Sequence, residues 1–283
     1  MTLLDVHGLR KVYHSLGRPP VVALDGLFLQ VRAGGITGLV GESGSGKSTT
    51  IRCILGLDQP DEGWIDYDGI RLTEAGKLER RRLHREIQVV FQDPTGSLNP
   101  RMTAGQLIGE GLRVHRLRTT SASLRQRVLE LMALVGLDQR DVDRYPRSFS
   151  GGQRQRIAIA RALAVEPTLL ICDEAVSALD VSVQAQILTL LQDMRDQLGL
   201  TVLFVAHDLA VVRQICSRVA ILQAGRIVEE GDSAAVFAHP EHPYTRELLE
   251  AVPIADPARA RARAAQRLAA LSGAKPSPQE TSA

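Results

Sequence analysis

Residues 41–49 read Gly-Glu-Ser-Gly-Ser-Gly-Lys-Ser-Thr, a match to G-x-x-x-x-G-K-[ST]. This spacing can cradle phosphates. Gly41, Gly44 and Gly46 let the backbone bend so that its N–H groups face an anion. Glu42, Ser43, Ser45 and Thr49 complete the candidate phosphate loop, in which Lys47 would bridge the β- and γ-phosphates and Ser48 Oγ would ligate Mg²⁺. Far downstream, Asp173 and Glu174 are adjacent carboxylates. Asp173 would hold Mg²⁺ through its water shell, and Glu174 would orient and polarise an attacking water. In isolation such a pair would do no more than cap a turn; the phosphate loop upstream gives it a catalytic reading.

These residues need elements to hold them. Ile36–Val40 is a short apolar run bounded by glycines, which predicts a buried strand, and residues 48–55 after the loop predict a helix, so the loop ends at a helix N-terminus that favours anions. Leu169–Cys172 predicts a second buried strand with Asp173 at its carboxyl end, and Thr201–Ala206 a third, followed by His207. In an open parallel α/β sheet, ligands bind at that carboxyl edge. Ile87–Phe91 predicts a further strand, followed by Gln92.

Ser150, Gly151, Gly152 and Gln153 precede a run, Arg154–Leu163, with helical apolar spacing and good helix formers. They form a second anion-binding helix N-terminus, and one nucleotide cannot easily occupy both. With this pair of sites the chain resembles the ABC (ATP-binding cassette) ATPases, in which the signature helix of one subunit caps ATP held by the other subunit's phosphate loop. The usual leucine before the signature serine is Phe149 here, which keeps the position apolar.

The resemblance carries over residue by residue. Gln92 matches the Q-loop glutamine that senses Mg²⁺ and the transporter partner, although a lone glutamine after a strand is ordinarily a solvated loop residue. Ser177–Asp180 matches the D-loop that crosses the dimer interface, and Asp180 is counted with the nucleotide contacts. His207 matches the switch histidine at the γ-phosphate, where a lone histidine would more often be structural. Tyr13 matches the aromatic position that stacks on adenine, a contact worth about 1–3 kcal/mol. The implied fold is α/β: a P-loop NTPase (RecA-like) core with an antiparallel β subdomain and a helical ABC subdomain. Residues 3–92 and 160–235 form the core with its β part, 93–159 the helical part ending in the signature, and 236–283 a C-terminal appendage. Residues 3–35 read as short alternating strands, and Ser123–Val135 is the clearest amphipathic helix of the helical part.

Composition agrees. The chain has 283 residues, 44% of them hydrophobic, enough for one α/β domain with appendages. A net charge of +2 provides no strong field for nucleic acid. Cys53, Cys172 and Cys216 have neither metal nor disulfide spacing, which fits a reducing cytosol. No run approaches the roughly 18–20 apolar residues of a membrane span, and the N-terminus lacks the pattern of a signal peptide. A membrane role therefore requires other chains.

Residues 92–101 and 239–246, the latter with Leu248 and Leu249 after it, resemble the corresponding segments of the dipeptide/oligopeptide importer ATPases, and the likeness covers about residues 3–254. It implies ATP and Mg²⁺, a second ABC ATPase subunit (a paralogue more than an identical copy), two transmembrane permeases, and an extracytoplasmic solute-binding protein reached through the complex. It also implies a peripheral place on the cytoplasmic face of the inner membrane. Some relatives carry an iron–sulfur centre in the C-terminal region; no cysteine follows Cys216, so none is expected here. Peptides are the implied solute. Nickel, glycans, an exporter role or an accessory role in a soluble enzyme complex are the alternatives. Residues 257–271 predict an alanine-rich helix with Arg259, Arg263 and Arg267 on one stripe, suited to solvent or to weak attraction by anionic lipid.

Overall fold

The computed structural model describes residues 1–251 other than 16, 18 and 119. The expected arginine-striped helix at 257–271 lies outside the described residues. The chain opens with two long strands, β1 (Thr2–Tyr13) and β2 (Val21–Arg32), paired antiparallel. Where the sequence suggested several short strands over 3–35, the structure has two continuous ones. Register shifts between Val6 and Leu9 break the apolar alternation without ending the strand, and Gly8 at φ 56° takes up the irregularity.

After them come β3 (Ile36–Val40), β4 (Glu62–Tyr67), β5 (Ile70–Arg71) and β6 (Ile87–Val90), then β7 (Leu169–Asp173), β8 (Thr201–Ala206), β9 (Arg218–Gln223) and β10 (Arg226–Asp232). They sort into two sheets of order β2-β1-β4-β5 and β10-β9-β3-β8-β7-β6. The antiparallel sheet thus recruits β4 and β5 from beyond the phosphate loop.

In the larger sheet β9, β3, β8, β7 and β6 run parallel. Their apolar runs are nearly unbroken because both faces are covered. Leu170, Cys172, Val202 and Phe204 share one core cluster with Ile157, Leu188 and Leu191 of the helices. The alternate residues Leu169, Ile171, Leu203 and Val205 share the other with Ile51, Ile54 and the antiparallel sheet. Each such side chain contributes roughly 1.5–3 kcal/mol by burial, so these strands are held firmly. The register pairs Val40 with Ala206 and Asp173 with Val205. Gly41, Glu174 and His207 therefore leave the sheet at the same edge.

Between β6 and β7 the chain is mostly helical. Helix Ser121–Leu134 starts where Thr120 accepts a hydrogen bond from the Ser123 N–H and stops before Gly136 at φ 71°. Helices Ser233–Ala238 and Pro243–Ala251 close the described chain. Among the described residues no helix is long and apolar enough to cross a membrane. The three cysteines are buried free thiols, and burial pushes Cys53 up to about 11 and Cys172 up to about 12, which disfavours the thiolate form.

Candidate active site

The phosphate loop joins β3 to helix Lys47–Ile54. Two glycines are dictated by close backbone approach. A Cβ on Gly41 would lie 2.2 Å from the Leu222 carbonyl oxygen, and one on Gly46 (φ +115°) would lie 2.7 Å from that of Ala23. No side chain caps the helix, and its first described ladder bond is from the Thr50 N–H to the Gly46 carbonyl. The Lys47, Ser48 and Thr49 N–H groups of the first turn are those that a helix N-terminus offers to a ligand. Lys47 is only 6% exposed, and its ammonium donates to the Gly41 and Glu42 carbonyls at 2.7 and 2.9 Å.

Asp173 ends β7. Burial, then the neighbouring Glu174, pushes its carboxyl above the usual range, with Lys47 opposing. A carboxylate in that position is one that a cation would stabilise. Glu174 sits at φ 47°, in the left-handed region that costs a non-glycine residue on the order of 1–3 kcal/mol. Its backbone is held by three hydrogen bonds: its N–H donates to the Val205 carbonyl at 2.9 Å, and its carbonyl accepts from the Ser177 N–H at 3.1 Å and Oγ at 3.0 Å. The turn aims the carboxylate between the Lys47 ammonium and the His207 imidazole. Oε1 lies 3.7 Å from Lys47 Nζ and Oε2 3.2 Å from His207 Nδ1. Gln92 Nε2 donates to Ser177 Oγ at 3.3 Å, which ties the segment after β6 to the Glu174 turn.

These groups open onto a cleft of about 850 Å³. Of the residues singled out from sequence, Glu42, Ser43, Gly44, Gly46, Lys47, Ser48, Thr49, Gln92, Glu174 and His207 line it. Gly41, Ser45 and Asp173 are not among the lining residues, and the Ser45 carbonyl accepts a bond from the Gly225 N–H at 2.8 Å. Tyr13 is not among the lining residues: its hydroxyl donates to Asp58 Oδ2 at 2.5 Å, and burial followed by that bond raises its pKa. The cleft also gains Val21, Val22, Asp208, Leu209, Leu248 and Ala251, which sequence reasoning did not pick. Asp208 and Leu209 could have been found as followers of His207; Leu248 belongs to the segment that resembles the importer ATPases but was not read as a site residue, and Ala251 carries no local signal. A smaller cavity of about 180 Å³, lined by Cys53, Leu72, Leu83 and Ile87 among others, holds none of the candidate residues.

Ser150, Gly151, Gly152, Gln153 and Asp180 are outside the cleft lining. Ser150 caps helix Gly151–Leu163, its Oγ accepting from the Gln153 N–H at 3.3 Å while Gln153 Oε1 accepts from the Ser150 N–H at 2.9 Å. Gly152 is required by a close neighbour, since a Cβ there would meet Val183 Cγ1 at 2.4 Å. Asp180 caps helix Val181–Leu198 by accepting from the Val183 N–H at 2.9 Å. Phe149 is buried beneath the Arg144 guanidinium, 5.1 Å from its ring centroid. Gly151 and Gln92 together line a separate cavity of about 130 Å³.

A parallel sheet with this phosphate loop at its carboxyl edge, an added antiparallel sheet and a helical insertion define an ATP-binding cassette fold. A solved dimeric structure of the ATP-binding cassette MJ0796, bound to ADP and Pi, superposes with a TM-score of 0.73 at 32% identity, covering 81% of this chain and 98% of that one. Residues 24–177 match the ABC transporter family, and residues 228–283 match the oligopeptide/dipeptide transporter C-terminal region. The chain belongs to the ABC transporter family of ATP-binding proteins. It is 53% identical over 239 residues to the oligopeptide transport ATP-binding protein OppD of Mycobacterium tuberculosis, with 84% of this chain matched. It is 49% identical over 242 residues to the oligopeptide transport ATP-binding protein OppF of Escherichia coli, covering 85% of this chain and 72% of that protein. The chain spans only 39% of the length of the mycobacterial relative.

Proposed function

We propose that this chain binds and hydrolyses MgATP and thereby energises an importer of oligopeptides. The observation that carries the reading is the convergence of Lys47, Glu174, His207 and Gln92 on the phosphate-loop cleft, in a chain whose relatives are named for oligopeptide transport.

In this reading the loop N–H groups hold the phosphates, and Lys47 exchanges carbonyl partners for phosphate oxygens. Glu174, flanked by Lys47 and His207, aligns the attacking water and takes up its proton, an action worth about 10²–10⁴-fold. His207 steadies the Glu174 carboxylate and reaches the γ-phosphate. Ser48, Asp173 and Gln92 fit a Mg²⁺ ion. Among the described residues no group of three or more His, Cys, Asp or Glu forms a cage, and Mg²⁺ is typically held by one or two protein groups, with phosphate and water completing the shell. When bound, Mg²⁺ neutralises charge on the transferred phosphoryl group.

Ser150 and its helix N-terminus serve the nucleotide of a second cassette, since they cap their own helix away from the Lys47 cleft. Closure of the pair is favoured by ATP because its γ-phosphate touches both halves, and hydrolysis reopens it. Residues 3–92 and 160–235 act as the nucleotide core, 93–159 as the helical part that carries the signature, and 236–283 as the appendage. The partners are a second cassette, with a paralogue favoured, two permeases and an extracytoplasmic solute-binding protein, at the cytoplasmic face of the membrane. Affinity purification of the tagged chain from detergent-solubilised membranes tests the assembly. Recovery of two multi-span permeases is expected, and recovery of soluble enzymes alone would overturn the importer role.

A further inference from the structure

The helix Pro243–Ala251 lies beside the cleft, and Tyr244 joins it to the phosphate loop. Tyr244 is 6% exposed, and its hydroxyl accepts a hydrogen bond from the Glu42 backbone N–H at 3.2 Å. The carbonyl of the same Glu42 accepts from Lys47 Nζ at 2.9 Å and from the Ser45 N–H at 3.2 Å. Glu42 is therefore the point where the C-terminal helix, the loop and the site lysine meet.

Tyr244 is itself held in place. On β10, the two carboxylate oxygens of Glu229 accept from the Glu241 and His242 N–H groups, each at 3.0 Å. The Tyr244 N–H donates to His242 Nδ1 at 3.2 Å, and Arg246 clasps the Pro240 and Glu241 carbonyls, each at 3.0 Å. One turn further on, Leu248 lines the cleft together with Asp208 and Leu209, the residues that follow His207. The helix thus spans from the loop that carries Lys47 to the segment that carries His207, anchored to the main sheet through Glu229.

We propose that Tyr244 is a positioning residue for the nucleotide site. Its hydroxyl holds the Glu42 N–H and so pre-sets the entry of the phosphate loop for nucleotide, through which the C-terminal segment controls nucleotide affinity. The inference rests on the MgATP reading above. The bond is present without nucleotide and orders the loop entry in advance; once it is lost, either nucleotide must order that entry as it binds, so ATP and ADP are weakened alike.

The test uses the full chain and three variants, Tyr244→Phe, Leu249→Ala and Lys47→Ala. The readouts are affinity for MgATP and MgADP, thermal midpoint, and NMR exchange of the Glu42 amide. Tyr244→Phe keeps the ring and deletes the oxygen. It should weaken both nucleotides roughly 3- to 10-fold, the scale of one neutral hydrogen bond whose loss frees the loop entry, speed Glu42 exchange, and lower the midpoint by no more than one such bond is worth. Leu249→Ala, which loosens the same helix but leaves the hydroxyl, should lower the midpoint more and affinity less. Affinity of Tyr244→Phe within twofold of the parent protein would overturn the proposal, whatever the exchange rate. So would equal losses of affinity in Leu249→Ala, which would assign the effect to packing. A parent protein that does not bind MgATP, or a Lys47→Ala variant that binds it normally, would instead remove the MgATP reading itself.

Discussion

Glu174 and His207 meet at the carboxyl edge of the parallel sheet, with Oε2 of the carboxylate 3.2 Å from Nδ1 of the imidazole. They meet because β7 and β8 are parallel neighbours whose register sets Asp173 beside Val205, so each residue begins the segment that leaves its strand. Lys47, 3.7 Å from the other carboxylate oxygen, arrives from the phosphate loop after β3. Rigid strands therefore fix the spacing of three groups that are far apart in sequence.

Lys47→Ala is expected to abolish MgATP binding, measured by titration with a fluorescent ATP analogue. It also leaves the Gly41 and Glu42 carbonyls one donor short, at a cost of roughly 1–3 kcal/mol if they stay buried, so the thermal midpoint should fall as well.

Ser150→Ala separates cap from catalysis. Loss of the bond from the Gln153 N–H to Ser150 Oγ should cost about 1 kcal/mol of stability, while the backbone N–H of residue 150 keeps its bond to Gln153 Oε1. The isolated chain should keep its MgATP affinity, while the ATPase rate of the assembled transporter falls at least tenfold. A loss of affinity in the isolated chain would contradict a signature that serves the partner's nucleotide.

The loop glycines should respond unequally to alanine. Gly41→Ala drives a Cβ onto the Leu222 carbonyl, whereas Gly44→Ala meets open space and suffers only the strain of φ +82°. Differential scanning fluorimetry should show the larger loss for Gly41→Ala, on the order of 1–3 kcal/mol or more from overpacking. Equal losses would contradict the close approach.

Asp58 gives a pH signature. Hydrogen bonds from Arg52, then from Tyr13, hold its carboxyl at about 2, below the 3.8 of an unperturbed aspartate. Because the folded value is depressed, its contribution is complete above 3.8 and is lost as pH falls toward 2. Asp58→Asn should lower the thermal midpoint at neutral pH, with the gap to the parent closing as pH drops from about 4 to 2. A gap that widens on acidification would contradict the network.

The phosphate loop, Asp173–Glu174 and His207 were legible in the sequence because each follows a strand buried on both faces. The apolar runs Ile36–Val40, Leu169–Cys172 and Thr201–Ala206 are local and unbroken. The β1–β2 pair was less legible, since its bulges erase the alternation that would reveal its length. Tyr13 was read from its position alone, and no local pattern announces that Asp58 takes its hydroxyl. The bond between Glu42 and Tyr244 joins residues 202 positions apart, beyond any periodicity. What sequence conveyed was the chemistry at strand ends; what it withheld was pairing between distant segments.

The most direct measurement is ATP hydrolysis and ATP-dependent association of the Glu174→Gln variant, followed side by side in the assembled transporter. Loss of the carboxylate base should slow hydrolysis about 10²–10⁴-fold, while MgATP still binds and traps the two cassettes in a closed pair. Hydrolysis close to the parent rate, with association unchanged, would contradict the role of Glu174 and with it the proposed mechanism.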